Sequence, residues 1–303
     1  MSPRPALTRA TESRGGALAA ALVGLGLACG EVGAAVAVLL FDEVGPLGMV
    51  MLRLVFSTLI LLVVARPSLR GHSAAAWRSA LLLGGVLAVM NAMFYLALSE
   101  LALGVAVTIE FLGPLALAVI TARSRVAWLC AGVALLGILA LGGGGWDRLT
   151  PAGLLFALGA AASWAGYILA STRVGREFSG LSGLALAMAF GAVLSLPFGV
   201  ADAGTALLRP ELVALGLVVA VLSSTVPYAL EMLALRRLAP AVFGILMSLG
   251  PATAAVAGFL VLGQRLSALE VAGIGLVVLA SAGAVWAGRE RPAALRDTQE
   301  PLA

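Results

Sequence analysis

From residue 17 onward the chain is a succession of long apolar runs separated by short polar segments. The runs fall at 17–41, 46–65, 78–98, 103–122, 126–142, 151–171, 181–200, 211–233, 240–262 and 268–287. A helix needs about 20 mostly apolar residues to cross a bilayer, and each run is close to that length. Pro46, Pro151, Pro210 and Pro240 stand where a first helical residue would, a position whose N–H has no intrahelical partner to lose. Ser267 and Glu270 have the spacing of a capping box ahead of the last run. The glycines at 142–145 predict a flexible turn; without a strand before them they do not form a phosphate-binding loop. The pattern predicts an all-α polytopic membrane protein with ten transmembrane helices.

The first run follows a polar stretch, 1–16, that carries Arg4, Arg9 and Arg14. A secretory signal has this order, but its apolar core is shorter. Leu27-Ala28-Cys29 has some likeness to a lipoprotein cleavage site, yet Gly26 fits poorly at its first position. The run therefore reads as an uncleaved first span.

Composition narrows the function. Apolar residues make up 61% of the chain and charged residues 11%, against roughly a quarter charged in ordinary soluble domains. Mean hydropathy is +1.08. A water-soluble enzyme is excluded. All 19 basic residues are Arg. The net charge of +4 does not imply nucleic acid, because the arginines sit in short loops instead of on one basic face. Cys29 and Cys130 lie in apolar runs without a CxxC or a His/Cys cluster, so neither a disulfide nor a metal site is expected. His72, the only histidine, falls in a loop, which leaves no candidate for zinc chemistry or a Ser-His-Asp triad inside the membrane. No catalytic residue and no cofactor is expected.

The arginines also set an orientation. With a cytoplasmic N-terminus, the inside segments hold 15 of them and the outside loops only Arg148, Arg209 and Arg265, with Arg53 left within a span. The outside loops carry Asp42, Glu43, Glu100, Asp147 and Asp202 instead. This is the positive-inside pattern, with both termini cytoplasmic.

Two stretches match at a shift of 137 positions. Leu96-Ala97-Leu98, Leu101-Ala102, Val105 and Leu112-Gly113-Pro114 meet Leu233-Ala234-Leu235, Leu238-Ala239, Val242 and Leu249-Gly250-Pro251. Ala131-Gly132-Val133 later meets Ala272-Gly273-Ile274. The shift lays spans three to five on spans eight to ten, so each half has five spans and the second is inverted. The loops agree: Ser99-Glu100 is acidic where Arg236-Arg237 is basic. The expected organisation is an N-terminal tail at 1–16, five-helix repeats at 17–145 and 146–287, and a C-terminal tail at 288–303. Inverted repeats of this kind are characteristic of secondary transporters, with the site near the midplane. Gly113-Pro114 and Gly250-Pro251 each lie roughly 15 Å into their spans from opposite faces, and are expected to break the helices there. A plain packing kink is the alternative.

Ionisable residues inside a membrane are functional candidates. Glu31, Arg53 and Glu110 share one layer, which Asn91 also reaches; a structural salt-bridge cluster is the competing reading. Glu231 lies near the inner end of its span, where an interfacial ion pair is expected. A further polar and aromatic set comprises Tyr95, Trp164, Tyr167, Ser223, Ser224, Thr225, Tyr228 and Ser248. Trp77, Trp128 and Trp146 fall near span ends and read as interfacial belt residues.

These residues carry a resemblance. Met90-Asn91 through Phe94-Tyr95-Leu96, Gly104-Val105-Ala106, and Glu110-Phe111-Leu112-Gly113-Pro114-Leu115 are its first part. Trp164-Ala165 with Tyr167-Ile168-Leu169, Leu222-Ser223 through Pro227-Tyr228 and Leu230-Glu231-Met232, and Phe243-Gly244 with Leu246-Met247-Ser248 continue it. Over nearly its whole length the chain resembles the EamA family of the drug/metabolite transporter superfamily, and within it bacterial inner-membrane threonine/homoserine exporters. The resemblance implies export of small amino acids or related metabolites. Asn91, Tyr95, Glu110, Trp164, Tyr167, Ser224, Tyr228 and Ser248 are the expected cavity lining, and Glu31, Arg53 and Glu110 the expected coupling or ion-pair residues. Arg53 or backbone donors would hold a carboxylate and Glu110 an ammonium. The residues contain no nucleotide-binding domain, so an ion gradient is the expected energy source, with protons as the coupling ion. The expected partners are a small-molecule substrate and the lipid bilayer, not nucleic acid; a homodimer is a compatible assembly. Similar exporters carry Glu where this chain has Gly250, Gly-Glu where it has Gly263-Gln264, and Gln where it has Glu31. Three alternatives stay open: a transporter of another metabolite or a drug, a membrane enzyme acting on a lipid-linked substrate, and a passive channel.

The orientation has a direct test. Single cysteines at Asp147 and Arg173, in a background lacking Cys29 and Cys130, should label from opposite sides of the membrane. Labelling of both from outside would overturn the ten-span topology.

Overall fold

The computed structural model describes residues 6–122, 125–142, 149–235 and 240–297. The described residues are all-helical, with no strand among them. The helices are α1 (Ala6–Val38), α2 (Phe41–Val44), α3 (Pro46–Ala65), α4 (Ala74–Leu98), α5 (Leu103–Glu110), α6 (Leu112–Ala122) and α7 (Arg125–Gly142). After them come α8 (Pro151–Glu177), α9 (Ser182–Ala203), α10 (Pro210–Ala220), α11 (Val226–Leu235), α12 (Pro240–Met247), α13 (Gly250–Leu262) and α14 (Ala268–Asp297). Among the described residues, eight helical segments are long and apolar enough to cross a membrane. Arg125–Leu141 and Pro210–Thr225 are shorter apolar helices.

The predicted starts at Pro46, Pro151 and Pro210 are helix starts. The capping box is present as well. The Ser267 N–H donates to Glu270 Oε2 at 2.6 Å, and the Glu270 N–H donates to Ser267 Oγ at 3.2 Å. Several helices outrun their apolar runs. α4 begins at Ala74, where Ser73 Oγ accepts the Ala76 N–H, and α8 continues to Glu177. Helix α1 begins at Ala6 and α14 runs to Asp297, so parts of both expected tails extend the first and last spans as helix. Hydropathy reports where lipid begins, whereas helical hydrogen bonding continues past that border. The turn expected at 142–145 lies outside the described residues beyond Gly142, as do Trp146, Asp147, Arg148 and the Arg236-Arg237 loop.

Helix α4 packs on α8 and α9, α3 on α9, α7 on α14, α1 on α11 and α13, and α5 on α13. Lipid supplies no hydrophobic force between helices, so close approach of backbones over small residues takes its place. The α7–α14 crossing illustrates this. A Cβ on Gly137 would lie 2.8 Å from the Gly273 carbonyl oxygen, and one on Gly273 would lie 2.6 Å from the Gly137 carbonyl oxygen. The mutual closeness leaves room only for hydrogen at both positions.

At one end of the bundle, polar contacts tie the first half of the chain to the second. Asp202 accepts the N–H groups of Leu47 at 2.8 Å and Gly48 at 3.2 Å, capping α3 with a carboxylate. That carboxylate fills the space beside Gly45, which has φ +73° and where a Cβ would lie 2.2 Å from Asp202 Oδ2. Arg209 pairs with Glu43 and, at 3.1 Å, with Glu211. Its two carboxylate partners raise the Arg209 guanidinium above its ordinary pKa. Thr150 donates to Glu100 at 2.9 Å, and Gln264 Oε1 accepts the Leu103 N–H at 3.0 Å.

Overpacking a close helix crossing costs about 1–3 kcal/mol. Gly137→Leu should therefore lower the thermal unfolding midpoint in detergent, because the Gly273 backbone cannot retreat. Gly132→Leu, on the same helix with nothing within 4 Å of the added Cβ, should leave the midpoint unchanged.

Candidate functional site

A cavity of about 470 Å³ lies between the helices. Its wall includes Glu31 from α1, Arg53 from α3, Asn91 from α4, Glu110 from α5, Pro114 from α6, Trp164 and Tyr167 from α8, and Ser248 after α12. These residues come from six different helices and one connection, and the sequence named every one. Counting 1.5 Å per residue, Arg53 and Glu110 each lie about 10 Å from the ends of their helices at the Asp202–Arg209 end of the bundle. Ala284 and Val285 also line the cavity. They lie roughly 25 Å along α14 from that same end, so the chamber extends well toward the opposite face.

Two helix breaks bound the chamber, and both fall a few residues before the predicted Gly-Pro pairs. The first separates α5 from α6 at Phe111. The second separates α12 from α13 at Ser248 and Leu249. Proline explains the offset. Its ring clashes with the carbonyl four residues earlier, and it has no N–H to donate to it. For Pro114 that carbonyl belongs to Glu110; for Pro251 it belongs to Met247. The break thus appears where the donor is missing, and it places Glu110 at the last residue of α5 and Ser248 on the α12–α13 connection, both beside the cavity.

Within the predicted quartet, Pro114 alone lines the chamber. A Cβ on Gly113 would lie 1.9 Å from the Ala161 carbonyl oxygen, so this glycine lets α6 touch α8. Gly250 faces Phe111: a Cβ would lie 2.6 Å from the edge of its ring. Phe111 in turn meets Trp164 edge to face at 4.8 Å. The room that a glutamate at 250 would need is occupied by an aromatic ring. Pro251 is buried in the packing around it. At the other family departure, the side chain of Gln264 caps α5 as a neutral acceptor.

Arg53 is half-buried and held by a defined set of partners. Its Nε donates to Ser224 Oγ at 3.1 Å, its Nη2 to the Ser223 carbonyl at 3.1 Å and its Nη1 to Tyr95 Oη at 3.3 Å. The guanidinium carbon also lies 5.6 Å from the Tyr95 ring centre. Tyr95 and Ser224, expected on the cavity wall, are instead almost fully buried behind Arg53 and orient it. Glu31 lies within the field of Arg53, and Glu110 within the fields of Glu31 and Arg53. Asn91 donates its amide to the Leu87 carbonyl at 2.8 Å. The side chains of Tyr228 and Glu231 lie outside the described residues.

The sequence reading missed the cavity residues Phe94, Phe243, Met247 and Ser281. Nothing in an apolar run distinguishes a lipid-facing Met or Phe from one that faces a chamber. It also missed the widened π turn at Val221–Thr225, which joins α10 to α11 and carries both Ser223 and Ser224. Pro227 was its available signal. The cysteines are free, as expected, with Cys130 buried. His72 packs against Phe178 at 4.6 Å and Trp77 at 6.1 Å and is not among the cavity-lining residues.

Comparison with known proteins agrees with the resemblance read from the residues. Residues 151–286 match the EamA-like transporter family. The chain is 41% identical over 261 residues to Threonine/homoserine exporter RhtA of Escherichia coli (strain K12), which covers 85% of this chain and 88% of that protein. It is 40% identical over 265 residues to Threonine/homoserine exporter RhtA of Salmonella typhimurium (strain SL1344), covering 86% and 89%.

The two prolines separate by experiment. Pro114→Ala returns a donor to the Glu110 carbonyl and should lower the transport rate several-fold with membrane insertion intact. Pro251→Ala, away from the wall, should lower it less. Equal losses, measured as flux per folded protein in liposomes, would contradict a role for the Glu110 break.

Proposed function

The chain belongs to the EamA-like transporter family, and from that premise we propose that it is a secondary-active exporter of small amino acids of the threonine and homoserine kind. The observation that carries this reading is one arginine and two glutamates on the wall of an otherwise mostly apolar chamber. A zwitterionic amino acid presents the complementary pair of charges. Arg53 receives the carboxylate, Glu110 the ammonium, and the Trp164 and Tyr167 rings cover the cation. The cavity volume lies in the ordinary range for small-molecule sites.

In this reading the chain crosses a bacterial inner membrane ten times, as two inverted five-helix halves with both termini cytoplasmic. The two short apolar segments fit as spans: α7 is 18 residues long, and α10 runs on through the π turn into α11. The packing supports the inversion. Exchanging the halves turns the α4–α8 contact into the contact of α10–α11 with α1, and that of α5–α6 with α8 into that of α12–α13 with α1. The α3–α9 and α7–α14 contacts map onto themselves. The cavity then sits where the halves meet, and rocking one against the other gives alternating access.

Protons supply the energy. One elementary charge moving through 100 mV releases about 2.3 kcal/mol, and a tenfold concentration ratio costs about 1.4 kcal/mol. One proton per cycle therefore supports an outward gradient of about fiftyfold. The proton carrier must change protonation between the two access states. Glu110 is suited to this role because it sits at the helix break, on the wall, beside both Glu31 and Arg53.

Glu110→Gln should abolish uphill threonine or homoserine transport driven by a pH difference in liposomes. Exchange at equal pH should continue. Glu31→Gln should be milder, since similar exporters carry Gln there. Uphill transport by Glu110→Gln under a pH difference alone would refute the coupling role. Failure of the wild-type protein to move either amino acid would refute the substrate.

A further inference from the structure

The guanidinium of Arg53 is anchored by a stretch of backbone that is not a regular helix. Pro227 has no N–H, and in an α-helix its donor would serve the carbonyl of Ser223, four residues earlier. The helix widens just there, with the Val226 N–H reaching back five residues to the Val221 carbonyl. Inside a membrane a carbonyl without its helical donor must find another. The Ser223 carbonyl accepts from Arg53 Nη2, while the next residue, Ser224, accepts from Nε through its hydroxyl. The Ser223 hydroxyl donates back to the Val219 carbonyl at 2.6 Å and leaves the contact with Arg53 to its backbone.

The turn is also braced by α1. Gly33 of α1 lies so close that a Cβ there would stand 2.8 Å from the Ser223 nitrogen and 3.0 Å from the Ser223 Cβ. A side chain at 33 would push the turn away from α1. Pro227 releases the carbonyl, the widened turn presents it beside Ser224, and Gly33 allows the close packing that fixes the turn in place. None of these groups is charged, yet together with the Tyr95 hydroxyl they constrain where a cation points.

We propose that Pro227 and Gly33 are positioning residues. They hold the Ser223 carbonyl on the Arg53 guanidinium and so fix the direction in which Arg53 meets the carboxylate of a transported amino acid. This inference rests on the reading of Arg53 as the carboxylate partner. The transported class it implies is molecules with a free carboxylate, in preference to their amides.

The test compares threonine with threonine amide as competitors of labelled threonine uptake into liposomes. Wild-type protein should favour threonine. Pro227→Ala adds an N–H that competes for the Ser223 carbonyl, and should reduce the preference by about tenfold, the scale of one hydrogen bond to a charged group. The maximal rate per folded protein should change far less. Gly33→Ala, which displaces the same turn from α1 without touching Pro227, should reduce the preference in the same direction. A second measurement needs no substrate: hydrogen exchange of the Arg53 Nε–H by NMR in nanodiscs, assigned with Arg53→Lys. Exchange should accelerate by about tenfold in both variants. A merely structural role would lower the amount of folded protein and leave both the preference and the exchange unchanged, which would overturn the proposal. Loss of the preference in Arg53→Lys but not in Pro227→Ala or Gly33→Ala, with exchange unaltered, would overturn it while keeping Arg53 as the carboxylate partner. Absence of any preference in the wild-type protein would overturn that partnership itself, and the exchange result would then decide whether the turn orients Arg53.

Discussion

A backbone carbonyl deprived of its helical donor cannot turn to water in the middle of a bilayer. That constraint governs the centre of this molecule. Pro114, Pro227 and Pro251 each remove a donor within an apolar run, and each removal falls beside the chamber. Irregular backbone at this depth is tolerated where it lines a cavity or meets a polar side chain. Here Phe111 with Glu110 before it, the Ser223 carbonyl, and Ser248 with Leu249 are the affected groups. The chamber and the broken helices thus coincide, and at Ser223 the Arg53 guanidinium supplies the missing partner.

The same constraint explains how the lone arginine inside a span is tolerated. A guanidinium in a low-dielectric surround needs its donors engaged and its charge balanced. A hydroxyl, a carbonyl and a phenol engage three of its N–H groups, and two carboxylates lie within reach of its field. The arrangement is pre-organised, because Tyr95 is wholly buried and Ser224 nearly so. In the proposed reading, ligand recognition then begins from a cation already aimed.

Much of this was legible in the sequence, because lipid imposes strong patterns. Run length located the helices, Ser267 with Glu270 announced a cap, and Glu31, Arg53 and Glu110, read as ionisable residues of one layer, all stand on the chamber wall. What escaped was partnership. Tyr95 and Ser224 have the chemistry of wall residues, and only the three-dimensional placement of α4 and the π turn sets them behind Arg53. Gly250 and Gly113 look like flexible points, yet each is small because a neighbour, the Phe111 ring or the Ala161 carbonyl, already fills the space. The offset of the breaks was recoverable by counting four residues back from each proline. The same count from Pro227 leads to Ser223.

The four polar ties at the Asp202–Arg209 end share a property that their geometry alone does not announce. Each joins the first half of the chain to the second, and the Arg209–Glu43 pair is about half exposed on both sides. Exposed pairs of this kind contribute about 0–1 kcal/mol each and weaken with salt. The end is therefore fastened like a clasp and not like a weld: it holds a geometry while remaining within reach of thermal energy. The proposed alternating-access cycle, in which one face opens and then the other, gains from such fastenings, because a tighter seal would turn the closed state into a trap.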